Sequence, residues 1–475
     1  MAQKGVLLVT IAHKVFVIGL DCAAPELVFD NWRADLPNLT RLINQGSHGV
    51  LKSITPPITV PAWMSMMTSK DPGTLGIYGF RNRGSYAYGD QKIANSTWVK
   101  ESTVWDILTQ HDKHSVIIGV PATYPPKPLN GCLVGCFLSP SVQSNYTYPA
   151  ELRQEINSAV GEYIIDVPDY RTTDVAGLLD RIYTMTNKRF ELVEYLMKAK
   201  PWDLFAFVEM GTDRLHHAFW QYWDKRHIHY QPDNPFEDAM RRYYIHLDGL
   251  IGRLVDQLPD DTAVLVVSDH GAKRIDGGIC VNEWLIREGY LTLTSKPAGI
   301  VPLDKCEIDW SHTTAWGDGG YYGRLFLNVR GREPQGTIPS AEYDRVCAEL
   351  TTKLEAMTGP DGQPLGNRVY RPRDIYKHVR GIAPDLIIIF GDLFWRSIGT
   401  LGHDKLYVFE NDTGPDGANH AQDGLYILRQ PGVSAQAAPT AHSLLDIAPT
   451  ILELMGIQPP ADMQGHSIAT RLNPI

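Results

Sequence analysis

The sequence predicts an α/β fold, a central and mostly parallel sheet sandwiched by helices, with an inserted lid subdomain. Three observations predict it. Apolar runs of strand length recur between helical stretches, the runs are near-continuous in Val, Ile, Leu and Phe, and a Gly-rich block interrupts the pattern. The runs occupy residues 15–20, 115–120, 204–208, 263–267, 325–329 and 386–390. A strand exposed on one face alternates apolar and polar side chains, whereas one covered on both faces by crossover helices does not, so continuous runs point to parallel strands. The helical stretches are 36–45, 105–110, 175–198, 237–257, 341–357 and 446–455. The Gly-rich block, 277–377, contains GDGGYYG and GREPQG and reads as a lid over one edge of the sheet, with its own strand at 324–329. The chain is expected to return to the main sheet at 383–390, leaving 1–276 and 378–475 as the core. A chain of 475 residues fits such a division, because domains run to roughly 100–200 residues.

Composition narrows the function. With 44 Lys+Arg against 54 Asp+Glu the net charge is -10, which argues against nucleic acid or anionic lipid as the main partner. At 43% hydrophobic and 21% charged the chain is ordinary globular material rather than disordered. Six cysteines without a close pairing pattern suggest reduced thiols. The N-terminal apolar stretch is broken by His13 and Lys14, and no window reaches the roughly 18–20 apolar residues of a membrane span. The expectation is a cytoplasmic protein acting on a small soluble substrate, with no nucleic acid or membrane partner; its oligomeric state is open, a homo-oligomer included.

In open α/β sheets ligands bind beyond the carboxyl ends of the strands. After VFVIGL stands Asp21, after LFAFV the segment EMGTDRLHH, and after AVLVVS the pair Asp269 and His270. Carboxylates and imidazoles at three strand ends are the raw material of a metal site. Asp213 and His217, four apart, share one face if their segment is helical, and His216 then points elsewhere. Taken singly, each feature also has a plainer reading: a favourable charge in a first helical turn for Asp213, a surface histidine for His217, a capped turn at Asp269. Thr59 lies between Pro57 and Pro61, at a turn before a helix expected to begin near Ala62. Its hydroxyl is either an N-cap or a group at a helix N-terminus, where backbone N–H groups favour an anion such as phosphate.

Together these residues resemble the alkaline phosphatase superfamily, in its branch of type I phosphodiesterase and nucleotide pyrophosphatase-like phosphohydrolases. The resemblance rests on VIGLDCAAP, PPITVPAWMSMMTSKDPGTLGIYGF, MGTDRLHHAFW, VVSDHG, ANHAQDGLYI and the closing LLDIAPTILELMGIQPPADMQGHS, in family order. It implies an alkaline phosphatase-like core and two divalent ions, one held by Asp21, Thr59, Asp269 and His270, the other by Asp213, His217 and His420. Mixed carboxylate and imidazole ligands suit zinc, with manganese or iron as substitutes. It further implies hydrolysis of a small phosphodiester, pyrophosphate or phosphomonoester through a phosphothreonine at Thr59. The chain departs from the family at Ser69, Leu75 and Gly79, and where nucleotide-cleaving members place an Asn on the phosphate it has Phe80, followed by Arg81 and Asn82. Phe80, Arg81 and Asn82 are therefore the candidate substrate contacts, with Arg83 a second candidate clamp for a monoester.

Two other readings share the same residues. A phosphomutase would use the same metal constellation and return the phosphoryl group to a second hydroxyl. A metal-stabilised binding protein would hold ions without turnover. A sulfatase is disfavoured, because threonine cannot be converted to the aldehyde hydrate that such enzymes use.

Overall fold

Nine strands form the central sheet of the computed structural model, which describes residues 8–9, 12, 14–435 and 438–472. Most of the N-terminal apolar stretch considered above lies outside the described residues. In chain order the strands are β1 (Lys14–Leu20), β2 (Ser47–Lys52), β3 (Ser115–Ile118), β4 (Gly131–Val134), β5 (Thr147–Tyr148), β6 (Leu204–Glu209), β7 (Thr262–Val267), β8 (Asp423–Arg429) and β9 (Thr440–Ser443). Across the sheet they run β9-β2-β8-β7-β1-β6-β3-β4-β5. The middle of the sheet, β7-β1-β6-β3-β4, is parallel throughout. Antiparallel partners are β8, against both β7 and β2, and the edge strand β5.

The central strands are buried along nearly their whole length, as their unbroken apolar runs require. Helices flank the sheet. In chain order the helices of the chain include α1 (Pro37–Gln45), α2 (Thr59–Thr68), α3 (Val104–Gln110), α4 (Val175–Ala199), α5 (Gly211–Trp223), α6 (Ala239–Val255), α7 (Tyr343–Glu355), which belongs instead to a second sheet, and α8 (Ile447–Leu454). α1, α4, α5 and α6 pack into one group, and α2 and α3 pack against α8 in another. Local chemistry sets several starts: Pro37 opens α1, and Thr103 and Asp106 cap α3 reciprocally. No helix among the described residues is long and apolar enough to cross a membrane.

A second sheet of four antiparallel strands lies apart from the first, in the order Ala315–Asp318, Gly323–Leu327, Leu386–Ile389, Arg368–Tyr370. It has its own apolar core, which draws on residues from Ile279 to Leu401 and includes Leu350 and Leu354 of α7. The 386–390 run was expected to carry the chain back into the main sheet, and here the structure differs. Leu386–Ile389 pairs within the second sheet, and the chain rejoins the central one at β8. A short run buried on both faces reads alike in either sheet, so the run itself does not name its partner. A third, small cluster of Ile58, Tyr78, Tyr322, Tyr376 and Ile387 joins the second sheet to the segment entering α2. A buried Arg83–Glu333 pair at 3.0 Å reinforces that junction.

Candidate metal centre

The site residues stand at the carboxyl ends of β1, β6 and β7, the three adjacent strands at the middle of the sheet. Asp21 directly follows β1, and its N–H donates to the Glu209 carbonyl at the end of β6, 3.0 Å away. Glu209 in turn accepts from Gly211 N–H at 2.7 Å, which starts α5 immediately after the strand. A Cβ on Gly211 would lie 2.1 Å from the Tyr243 hydroxyl, so this close turn demands glycine. Two residues on, Asp213 and His217 occupy one face of α5, with Asp213 Oδ1 3.3 Å from His217 Nε2. His216 points away, to the Tyr244 hydroxyl at 3.0 Å.

Asp269 and His270 follow β7. Immediately beyond them Gly271–Arg274 pairs antiparallel with Ala418–Ala421, placing His420 opposite Ala272. The His270 and His420 rings stack, centroids 3.8 Å apart. Thr59 is the first residue of α2 and Ile58 its N-cap, so the helix begins three residues before the expected Ala62. Thr59 is therefore not an N-cap. Pro61 fits in the first turn because the N–H it lacks would find no helical partner there. Thr59 Oγ1 lies 3.2 Å from His270 Nε2.

Each carboxylate is held by one oxygen and presents the other. Trp63 Nε1 donates to Asp21 Oδ2 at 2.6 Å, an approach that Gly19 permits, since a Cβ there would meet the indole at 2.5 Å. Cys22 N–H donates to Asp269 Oδ1 at 3.1 Å, and Arg214 Nη1 to Asp213 Oδ2 at 2.5 Å. Asp21 Oδ1, Asp213 Oδ1 and Asp269 Oδ2 are buried and accept no hydrogen bond. Buried polar atoms are normally satisfied, so three orphan carboxylate oxygens in one place call for a cation. Donor atoms of Asp21, Asp269 and His270 lie within 4.8 Å of one another, as do those of Asp213, His270 and His420.

The imidazoles are arranged in the same way. Nδ1 of His270 faces the Gly271 carbonyl at 3.0 Å and Nδ1 of His420 the Pro57 carbonyl at 2.9 Å. A carbonyl only accepts, so each ring carries its proton on Nδ1 and leaves the Nε2 lone pair free for a cation. His217 Nδ1 meets the Asp416 carboxylate at 2.8 Å and the Ala418 carbonyl at 3.2 Å.

The charges are unbalanced without such an ion. Burial, with the Asp269 and Asp213 charges adding, pushes Asp21 well above the usual carboxylate range. Burial raises Asp269 likewise, although the Cys22 N–H opposes it. Burial also works on Asp213, but His217 and Arg214 hold it well below the ordinary value. His270 is pulled down to about 4 by burial, and burial with the His270 and His217 rings depresses His420. Burial opposes charge on His217 too, yet Asp416 and Asp213 lift it to about 10. Divalent cations would relieve the carboxylate repulsion, bind the neutral His270 and His420 rings and take the place of the His217 Nε2 proton, so the donor set fits the expected group.

The candidate substrate contacts fare differently. Asn82 is buried with its amide committed within its own turn, accepting from Tyr78 N–H at 2.7 Å and donating to the Gly79 carbonyl at 2.9 Å. One bond to its Oδ1 and one from its Nδ2 thus hold Asn82 within its own turn. Phe80 packs edge-on against Phe137, which lies under the Arg214 guanidinium. Arg81 is exposed. Arg83 is spent on Glu333 and the Tyr86 carbonyl.

Several neighbours escaped the sequence reading. Arg214, next to Asp213, also clasps Asp166 through Nε and Nη2 at 3.0 and 2.7 Å. Asp416 and Tyr321 surround His217, and Tyr321 stacks on His420 with centroids 4.1 Å apart. The signal for Arg214 was its place inside MGTDRLHH; Asp416 and Tyr321 carry none that spacing alone reveals.

Residues 15–416 match the family model described as Type I phosphodiesterase / nucleotide pyrophosphatase. No curated protein matches the chain. Among solved structures, phosphonoacetate hydrolase from Sinorhizobium meliloti 1021 in complex with phosphonoformate is similar at 15% identity and TM-score 0.59, covering 96% of this chain and 99% of that one. Human ectonucleotide pyrophosphatase / phosphodiesterase 5 is similar at 14% identity and TM-score 0.53, covering 94% of this chain and 96% of that one. Likeness at this identity speaks for a shared alkaline phosphatase-like fold.

Proposed function

Because the chain belongs to the type I phosphodiesterase / nucleotide pyrophosphatase family, whose members are phosphoric ester hydrolases, we propose that it hydrolyses a small phosphodiester or pyrophosphate with Thr59 as nucleophile. The observation that carries this reading is the convergence of three orphan carboxylate oxygens, of Asp21, Asp213 and Asp269, with a buried threonine hydroxyl 3.2 Å from His270 Nε2. Asp21, Thr59, Asp269 and His270 would hold one divalent ion, and Asp213, His217 and His420 the other. Zinc is the first choice for this donor set, manganese or iron the substitutes. Bound there, such ions supply Lewis acidity that lowers a hydroxyl pKa and neutralises charge on phosphoryl oxygens. Thr59 Oγ1 forms a bond to phosphorus as the bond to the leaving oxygen breaks. Water then attacks the phosphothreonine, releasing phosphate or a monoester and restoring the hydroxyl.

The buried arginines support a diester or pyrophosphate over a monoester. A dianionic monoester gains from an unspent guanidinium clamp, but the buried arginines nearby already face carboxylates: Arg83 Glu333, Arg214 Asp213 and Asp166, Arg396 Asp416. We assign substrate selection to the lid, whose apolar core extends beyond residue 377 as far as Leu401.

The test is a side-by-side rate on a generic phosphate diester and its monoester analogue, with protein reconstituted with zinc or manganese. Diester hydrolysis that is the faster of the two and is lost in Thr59→Ala supports the reading. Monoester preference overturns the substrate class, and silence on both esters overturns the reaction.

A further inference from the structure

His217 differs from the other two imidazoles of the centre in what stands behind it. His270 and His420 lean on backbone carbonyls, whereas His217 Nδ1 lies 2.8 Å from a carboxylate, that of Asp416. The surrounding backbone fixes this contact: the His217 carbonyl accepts from Gly417 N–H at 2.7 Å, and the Ala418 carbonyl faces the same Nδ1. Asp416 Oδ2 faces groups from two parts of the molecule. Arg171, from the loop before α4, reaches it at 3.1 Å; Arg396 reaches it at 3.3 Å and the Tyr321 hydroxyl at 3.4 Å, both from the segments that pack with the second sheet. The Asp416 side chain is wholly buried and that of Arg396 is 5% exposed.

Tyr321 and Arg396 cannot move independently, because Gly320 and Ser397, their chain neighbours, exchange backbone hydrogen bonds at 2.8 and 2.9 Å. Tyr321 also covers the centre, its ring stacked on His420 and His217. A shift of the lid would therefore reach Asp416 through two groups at once, and through Asp416 the orientation of His217. Carboxylates behind a metal-binding imidazole orient the ring and strengthen it as a ligand.

We propose that Asp416 is a positioning residue through which the lid sets the ion affinity of the His217 site. The proposal rests on the two-ion reading above. Its test is ion stoichiometry and affinity of the full chain, by competition with a zinc chelator, for Asp416→Asn, Arg396→Met and Arg396→Lys beside the unaltered protein. Asp416→Asn is expected to weaken one of two ions by about 10- to 100-fold and spare the other. Arg396→Met is expected to weaken the same ion, and Arg396→Lys to restore it, since this contact is a single charge contact rather than a bidentate one. Two ions held by Asp416→Asn as tightly as by the unaltered protein would overturn the positioning role. An unchanged affinity in Arg396→Met would overturn the link to the lid, and that variant decides the matter if Asp416→Asn does not fold. Should the unaltered protein hold no ion, the failure belongs to the function proposed above.

Discussion

His270 and His420 stack with ring centroids 3.8 Å apart and 18° between planes, so the two candidate clusters of acid and imidazole side chains share a wall. Their Nδ1 atoms face carbonyls and their Nε2 atoms are turned toward the carboxylates. Chemistry at either group is thus coupled in space to the other and to Thr59.

Thr59→Ala should lower kcat by about 10³-fold or more while ion content stays near that of the unaltered protein, because one donor among several is lost. Thr59→Ser keeps an Oγ and should retain part of the activity. Steady-state rates paired with elemental analysis check both, and an active Thr59→Ala would remove the nucleophile assignment.

Chelation should abolish activity and lower the melting temperature, since the carboxylates of Asp21, Asp213 and Asp269 are left in one buried cluster. An ion present at about 100 times its Kd stabilises the fold by about 2.7 kcal/mol per site. Calorimetry with and without chelator, followed by zinc or manganese addition, reads it. A melting temperature indifferent to chelator would count against ions in the native site.

Arg214 pairs with both Asp213 and Asp166. Arg214→Leu should cost about 3 kcal/mol of stability, because it strands buried carboxylate charge. Adding Asp166→Asn should recover part of the loss. Urea unfolding of the single and double variants measures it; a loss under about 1 kcal/mol would make the pair a surface-like contact instead.

Gly211→Ala should destabilise by about 1–3 kcal/mol through overpacking. The added Cβ would sit 2.1 Å from the Tyr243 hydroxyl, so Tyr243→Phe should partly rescue it. Equal losses in the single and double variants would mean that the clash lies elsewhere.

His227 is pulled down to about 4 from its ordinary 6.5 by burial, with His229 adding. Its Nε2 donates to the Gly417 carbonyl at 3.0 Å, and its Nδ1 accepts from His229 N–H at 3.1 Å, so the neutral ring is fully satisfied. A depressed folded pKa means that its contribution is complete above pH 6.5 and is lost as pH falls through about 4. Unfolding free energies across that window should fall less steeply with acid in His227→Gln than in the unaltered protein. Identical slopes would show that His227 does not titrate with folding.

The sequence by itself determined the class of fold and the places where ligand chemistry stands. Unbroken apolar runs dictated buried strands, and Asp21, Asp213 and the Asp269–His270 pair could be read as strand-end residues because a parallel sheet directs its strand ends to one edge. The i,i+4 spacing likewise put Asp213 and His217 on one helical face. Only the tertiary structure decided the rest. Leu386–Ile389 reads as a central strand but pairs in the second sheet, since a run buried on both faces does not specify its neighbour. Asn82 has a residue type suited to phosphate, yet one bond at each end of the amide ties it to its own turn. His420 meets His270 through the register of two short strands, and Asp416 reaches His217 through a long-range contact. Local propensity and periodicity carry no information about partners so distant along the chain; packing does, because it alone brings them within the few ångströms at which charges and lone pairs act.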